Sequence, residues 1–113
     1  MKTSKIYLVI STIDNRQAAE RIAHQLVEER LAACVNIISN LTSIYKWKGT
    51  LERATEHLMV IKTAEDRLEQ LTNRIAELHP YEVPEVIAFS IDNGYAPYLE
   101  WVVSQTRGGS EGV

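Results

Sequence analysis

Seven consecutive residues, His79, Pro80, Tyr81, Glu82, Val83, Pro84 and Glu85, bring an imidazole, a phenol and two carboxylates into one short stretch. The two prolines fix their own φ near about −65° and push His79 and Val83 out of helical geometry. The side chains of Tyr81, Glu82 and Glu85 are therefore presented from a stiff connector, which is where a site or an interface is expected. An aromatic beside carboxylates suits a small polar ligand or a hard cation. His79 adds a candidate metal ligand.

The other ligand-type side chains are scattered. Cys34, between Ala33 and Val35, reads as a buried core thiol. His24 lies among polar neighbours on a helical stretch and reads as a surface residue, while His57, beside Glu56, reads as an exposed cross-strand partner. The chain shows no Ser/His or Cys/His pairing, no glycine-rich phosphate loop and no HExxH zinc motif. Catalysis would have to be assembled across subunits from Glu82, Glu85, Lys62 and His79, and a non-enzymatic role is expected.

These groups must be positioned by a small fold. The 113 residues, 45% hydrophobic and 24% charged, suit one domain over residues 1–107. Residues 108–113, rich in glycine, read as a disordered tail. A net charge of −3 with dispersed basic residues lacks the footprint of a nucleic-acid binder. The apolar-leaning run after Lys5 extends only about eight residues, too short to span a membrane, and no export signal is legible. A single cysteine points to a reduced, cytoplasmic setting.

Val9, Ile10, Ser11, Thr12, Ile13, Asp14, Asn15, Arg16 recur as Val60, Ile61, Lys62, Thr63, Ala64, Glu65, Asp66, Arg67. In both copies an apolar strand runs into polar residues and then into a helical pattern. Asp14 with Gln17, and Thr63 with Asp66, have the spacing of a capping box. The helices offer Ala19, Ile22, Ala23 and Leu26, then Leu68, Leu71, Ile75 and Leu78, as core faces. Each copy closes with an apolar run, Cys34 to Ile38 or Val86 to Ile91. Two strand–helix–strand units in tandem predict an α+β, ferredoxin-like βαββαβ sandwich with four antiparallel strands and helices on one face.

Between the copies, Ala32 to Trp47 and Thr50 to Lys62 read as a long β-hairpin closed at Lys48 and Gly49. A strand of that length would extend roughly 50 Å, whereas a domain of about 100 residues has a radius of gyration near 13 Å. The hairpin must bend, with Asn40 as the candidate, or leave its own sheet. Tyr45 and Trp47 near its tip then need burial from a neighbouring subunit. The segment from Pro97 to about Arg107 reads as an extra C-terminal helix. Its Tyr98, Leu99, Trp101, Val102 and Val103 form an arc wider than one contact requires, which also points to self-association.

Glu29–Asn36, Ser43–Gly49, His79–Glu85 and Tyr98–Trp101 together resemble the CutA divalent-cation-tolerance family, in family order and from about Lys5 to Arg107. The resemblance implies a ferredoxin-like protomer in a homotrimer similar to the PII signalling proteins, with a link to divalent metals, especially copper. It implies no catalytic activity. It also groups Tyr45, Trp47, Lys62, Tyr81, Glu82 and Glu85, with Trp101, at a cleft or interface between subunits. That set can serve as a ligand cleft or as interface anchors, and the two readings are compatible. Family members described as copper binders use a Cys at the end of the first strand and a His pair before the Pro and Tyr. Here Ser11 and Leu78 occupy two of those places and only His79 remains, so copper or another divalent cation is expected to bind weakly, drawing on Cys34, Met59, His24 or His57 if at all. The expected role is a trimeric metal-responsive or small-ligand binding protein, with a partner-presenting scaffold as the alternative.

Overall fold

A computed structural model describes residues 5–107; the expectations for the first residues and for the 108–113 tail lie outside it. The elements run β1 (Ile6–Ile13), α1 (Arg16–Glu28), β2 (Cys34–Trp47), β3 (Thr50–Ala64), α2 (Leu68–Leu78), β4 (Ile87–Ile91) and α3 (Ala96–Gln105), with a single 3-10 turn at Glu65–Arg67 before α2. The four strands form an antiparallel sheet in the order β2-β3-β1-β4, the pattern expected of two βαβ units.

Register decides which residues meet the helices. Val9 stands opposite Ile61, Ser11 opposite Met59, and Ile13 opposite His57. That face packs against Ala19, Ile22 and Leu26 of α1 and Leu71 and Ile75 of α2, as the sequence periodicity predicts, with Ala18 buried in place of the half-buried Ala23. The alternate residues fall on the other face. Cys34, Lys62, Leu8 and Phe89 make one cross-strand row there, and Asn36, Val60, Ile10 and Ile87 the next. At one end α3 covers this second face, closing Ile6 and Ala64 beneath Val102. The remainder, including Ile87 and Phe89, is exposed in the single chain.

Two local expectations are corrected. The cap of α1 is Asn15 and not Asp14: its Oδ1 accepts the Ala18 N–H at 2.8 Å. Thr63 caps nothing, because its hydroxyl is buried and donates to the Leu31 carbonyl at 2.7 Å. With Thr63 committed to that carbonyl, the chain enters α2 through the 3-10 turn, which has no side-chain cap.

The hairpin both bends and leaves the sheet. Between Ile38 and Leu41 the register with β3 shifts, with two β2 residues opposite His57, and Asn40 takes φ 65°. Beyond that bulge, Leu41–Trp47 and Thr50–Glu56 pair only with each other, as a two-stranded arm. Its turn is Lys48 and Gly49, both at positive φ (52° and 83°), the geometry that matches strand twist in a two-residue hairpin. The arm stretches the molecule to 51 × 27 × 22 Å.

Candidate functional site

The connector from α2 to β4 is pinned by His79. This residue ends α2, is 6% exposed, and uses both ring nitrogens. Nε2 donates to the Thr12 carbonyl at 2.8 Å, and Nδ1 accepts the Tyr81 N–H at 3.1 Å. A carbonyl can only accept and a backbone N–H can only donate, so the ring is the neutral Nε2–H tautomer. Tyr81 then folds edge-on against the imidazole, with centroids 4.5 Å apart. Its hydroxyl reaches the arm and donates to Glu56 Oε2 at 2.6 Å.

This pairing makes one wall of a cleft of about 680 Å³ between the arm and the connector. Tyr45, Trp47 and Ile44 line it from β2, Ala54 and Glu56 from β3, and Tyr81, Glu82, Val83 and Glu85 from the connector. The bulge is what aims the arm here. It shifts the alternation of β2, so that Ser43 and Tyr45 come opposite Ala54 and Glu52 and Ser43 joins Tyr45 and Trp47 on the cleft side. At the floor, Thr12 donates to Glu85 Oε1 at 3.1 Å. At the mouth, the Lys48 ammonium lies 3.9 Å from Glu82 and 5.9 Å from the centre of the Trp47 ring.

Glu56 was not among the residues picked out by sequence reading. It is 5% exposed, and among the described residues no basic group pairs with it. The available signal was its place two residues after Ala54 and two before Leu58, in the strand phase that faces away from the helices. Burial, then the Glu56 hydrogen bond and charge, push the Tyr81 phenol well above its ordinary range. Because the folded-state value is the raised one, this contribution is intact below about pH 10, the unfolded phenol's value, and is lost as pH rises beyond it. Ultraviolet titration of Tyr81→Phe is expected to keep every phenol that ionises near the ordinary value and to lose only a late one. Loss of an early phenol instead would mean that Glu56 does not hold Tyr81 in solution.

Of the residues expected at the cleft, Tyr45, Trp47, Tyr81, Glu82 and Glu85 are brought together. Within one chain, Lys62 and Trp101 are not among its walls. Lys62 bonds Asn36 on the sheet face away from α1 and α2, and Trp101 lies on α3 beside Tyr98, their rings 5.6 Å apart. Cys34 is half-buried rather than a core thiol, since it stands opposite Lys62 on the sheet face turned away from α1 and α2. His57 is buried against the core rather than exposed, with Nδ1 unpartnered among the described residues, because its strand phase turns it toward the helices. His24 is on the surface as expected. Among the described residues no three of His, Cys, Asp and Glu converge on one point.

A family model described as CutA1 divalent ion tolerance protein matches residues 7–105. The chain belongs to the CutA1 divalent ion tolerance family. It is 44% identical over 99 residues to the divalent-cation tolerance protein CutA of Thermus thermophilus, covering 88% of this chain and 96% of that one. It is 43% identical over 106 residues to the chloroplastic protein CutA of Arabidopsis thaliana, covering 94% of this chain and 58% of the relative. The chain thus spans somewhat more than half of that plant CutA protein. The crystal structure of CutA1 from Oryza sativa superposes with a TM-score of 0.90 at 42% identity, covering 93% of this chain and 96% of that one.

The residues present do not fit a CutA1 copper centre. Either His79 nitrogen would have to surrender a hydrogen bond to take a metal. Ser11 is buried on the helix side, and Leu78 supplies no ligand atom. Among the described residues no helix is long and apolar enough to cross a membrane.

Proposed function

We propose that this CutA1 chain is a cytoplasmic ligand-binding homotrimer acting in divalent-cation tolerance, and that the cleft between the arm and the 79–85 connector is its binding site. The role is binding and not catalysis. The observation that carries the reading is Glu56: a carboxylate almost wholly removed from water, on the wall of an aromatic cleft, held by one phenol and no cation among the described residues. A buried charge without an opposite charge is expensive unless something supplies one.

Assembly follows from two surfaces that one chain leaves bare. A two-stranded hairpin is marginal alone, and this arm carries Ile44 and Leu51 at 67% and 68% exposure. The helix-free sheet face adds Ile38, Ile87 and Phe89. Three copies related by a three-fold axis, as in the PII-like architecture, cover both and leave no arm unpaired. Light scattering is expected to read three times 12.8 kDa, and a monomer at micromolar concentration would remove the argument for the arm.

The scaffold reading has its own observation, Tyr95 at 77% exposure ahead of α3, which a partner protein could cover. A thermal-shift screen with divalent metal chlorides, small amines and small anions separates the two. A binding trimer is expected to gain melting temperature with at least one set, in saturable fashion. A scaffold would be indifferent to all three.

A further inference from the structure

Resting on the reading of this cleft as a binding site, we propose that Thr12 is its positioning residue: the Thr12 carbonyl fixes the first half of the connector, and the Thr12 hydroxyl is the latch that draws the second half, Glu82–Glu85, over the cleft. The cause lies in strand lengths. β1 pairs with β3 from Ile6 to Ile13 but with β4 only from Ile6 to Ile10. Past Ile10 the β4 side of β1 therefore carries no strand among the described residues, and the connector takes that place. His79 donates to the Thr12 carbonyl there at 2.8 Å, and at the connector's other end Glu85 accepts from the Thr12 hydroxyl at 3.1 Å. Both ends thus meet at one residue, which also lines the cleft.

The two ends are held unequally. At the first, His79 is 6% exposed with both ring nitrogens engaged, and the Tyr81 hydroxyl donates to Glu56 at 2.6 Å, so this half moves only if buried bonds break. At the second, Glu85 is half-buried and Val83 is 66% exposed. Glu82 meets the Lys48 ammonium at 3.9 Å with both side chains largely exposed, and a surface pair of that kind contributes little. Val86, packed against the core, bounds the span at its far end. Glu82–Glu85 is therefore a short strap between two anchors, with the Thr12 hydroxyl holding it in.

Because carbonyl and hydroxyl do separate work, the latch can be cut while the fixed half is left alone. Thr12→Val keeps the β-branched shape and the backbone bond and removes only the hydroxyl. Acrylamide quenching of Trp47, another wall of the cleft, reads the opening. It is measured on the intact assembly in a Trp101→Phe background whose mass is first checked by light scattering. Thr12→Val is expected to raise the quenching constant, by at most about twofold because the indole is already 42% exposed. Thr12→Ser should restore the parent's value, Glu85→Ala should match Thr12→Val, and the two together should exceed neither. The late Tyr81 phenol should survive in Thr12→Val.

If Thr12→Val is quenched like the parent, if Thr12→Ser fails to rescue, or if the Thr12 and Glu85 changes add, the latch is overturned, even where the thermal-shift screen finds a ligand. Loss of the late phenol in Thr12→Val would mean that the two halves move as one, and would overturn it as well. If the latch variants behave as expected but metal chlorides, amines and anions all leave the parent's melting temperature unmoved, the binding reading is what fails, and the positioning role of Thr12 falls with it.

Discussion

His79→Ala is expected to destabilise the folded chain by about 3 kcal/mol, through hydrogen bonding and packing together. The imidazole is nine-tenths buried and makes two bonds of opposite sense, to the Thr12 carbonyl and from the Tyr81 amide. Alanine leaves both partners short and opens a void against the Tyr81 ring, 4.5 Å away. Released from that contact, Tyr81 loses the orientation that carries its hydroxyl to Glu56, so the late phenol ionisation should move down toward the ordinary range in the same variant. Denaturant unfolding gives the stability change and ultraviolet titration gives the second readout. His79→Gln, which can reproduce one of the two bonds, should recover part of the loss. A variant as stable as the parent would mean that the connector is held by its prolines alone. Copper affinity is a separate matter: since both nitrogens are engaged, removing the ring should change weak copper binding little.

The repeat, both helix faces and the hairpin were legible because each is written as a period, two for the strands and 3.6 for the helices, and burial reads that period directly. That the hairpin must bend or leave its own sheet was legible from length alone, since a straight arm would not fit the domain. What failed was parity. Cys34 and His57 both sit in apolar-looking strands, yet they point to opposite faces, and a sequence does not say which face the helices will cover. The bulge compounds this by shifting the alternation of β2, which is why Tyr45 and Trp47 were placed near the hairpin tip without Glu56 as their partner across the cleft. The cap of α1 moved by one residue, from Asp14 to Asn15, because either side chain could accept the first free N–H groups and the strand's end decided between them. Lys62 and Trp101 were grouped with the cleft by resemblance to a trimeric family. One chain places them elsewhere, and in the trimer proposed here only a neighbouring copy could bring them near it.

The largest effect on assembly is expected from Phe89→Asp. Phe89 stands in the cross-strand row with Leu8, Lys62 and Cys34, on the sheet face away from α1 and α2 and in the part that α3 leaves bare, and it is 50% exposed there. In a trimer that closes on these faces, the substitution removes a buried aromatic, worth about 2–4 kcal/mol at an interface, and leaves an unpaired carboxylate in its place. Three copies carry the change about one axis, so the penalties fall on the same contact surface and the carboxylates also repel one another. Light scattering should therefore show the mass dropping from the trimer toward 12.8 kDa, while the circular dichroism of the chain is largely kept. Arg21→Ala, on the exposed outer side of α1, is the control and should remain fully assembled. The variant also separates the two surfaces invoked for assembly. If Phe89→Asp stays trimeric on dilution, the helix-free face is not the contact, and the arm with Ile44, Trp47 and Leu51 must hold the copies together by itself. Trp47→Ala would then be the change that dissociates them, and the cleft would lose its standing as a ligand site distinct from the interface.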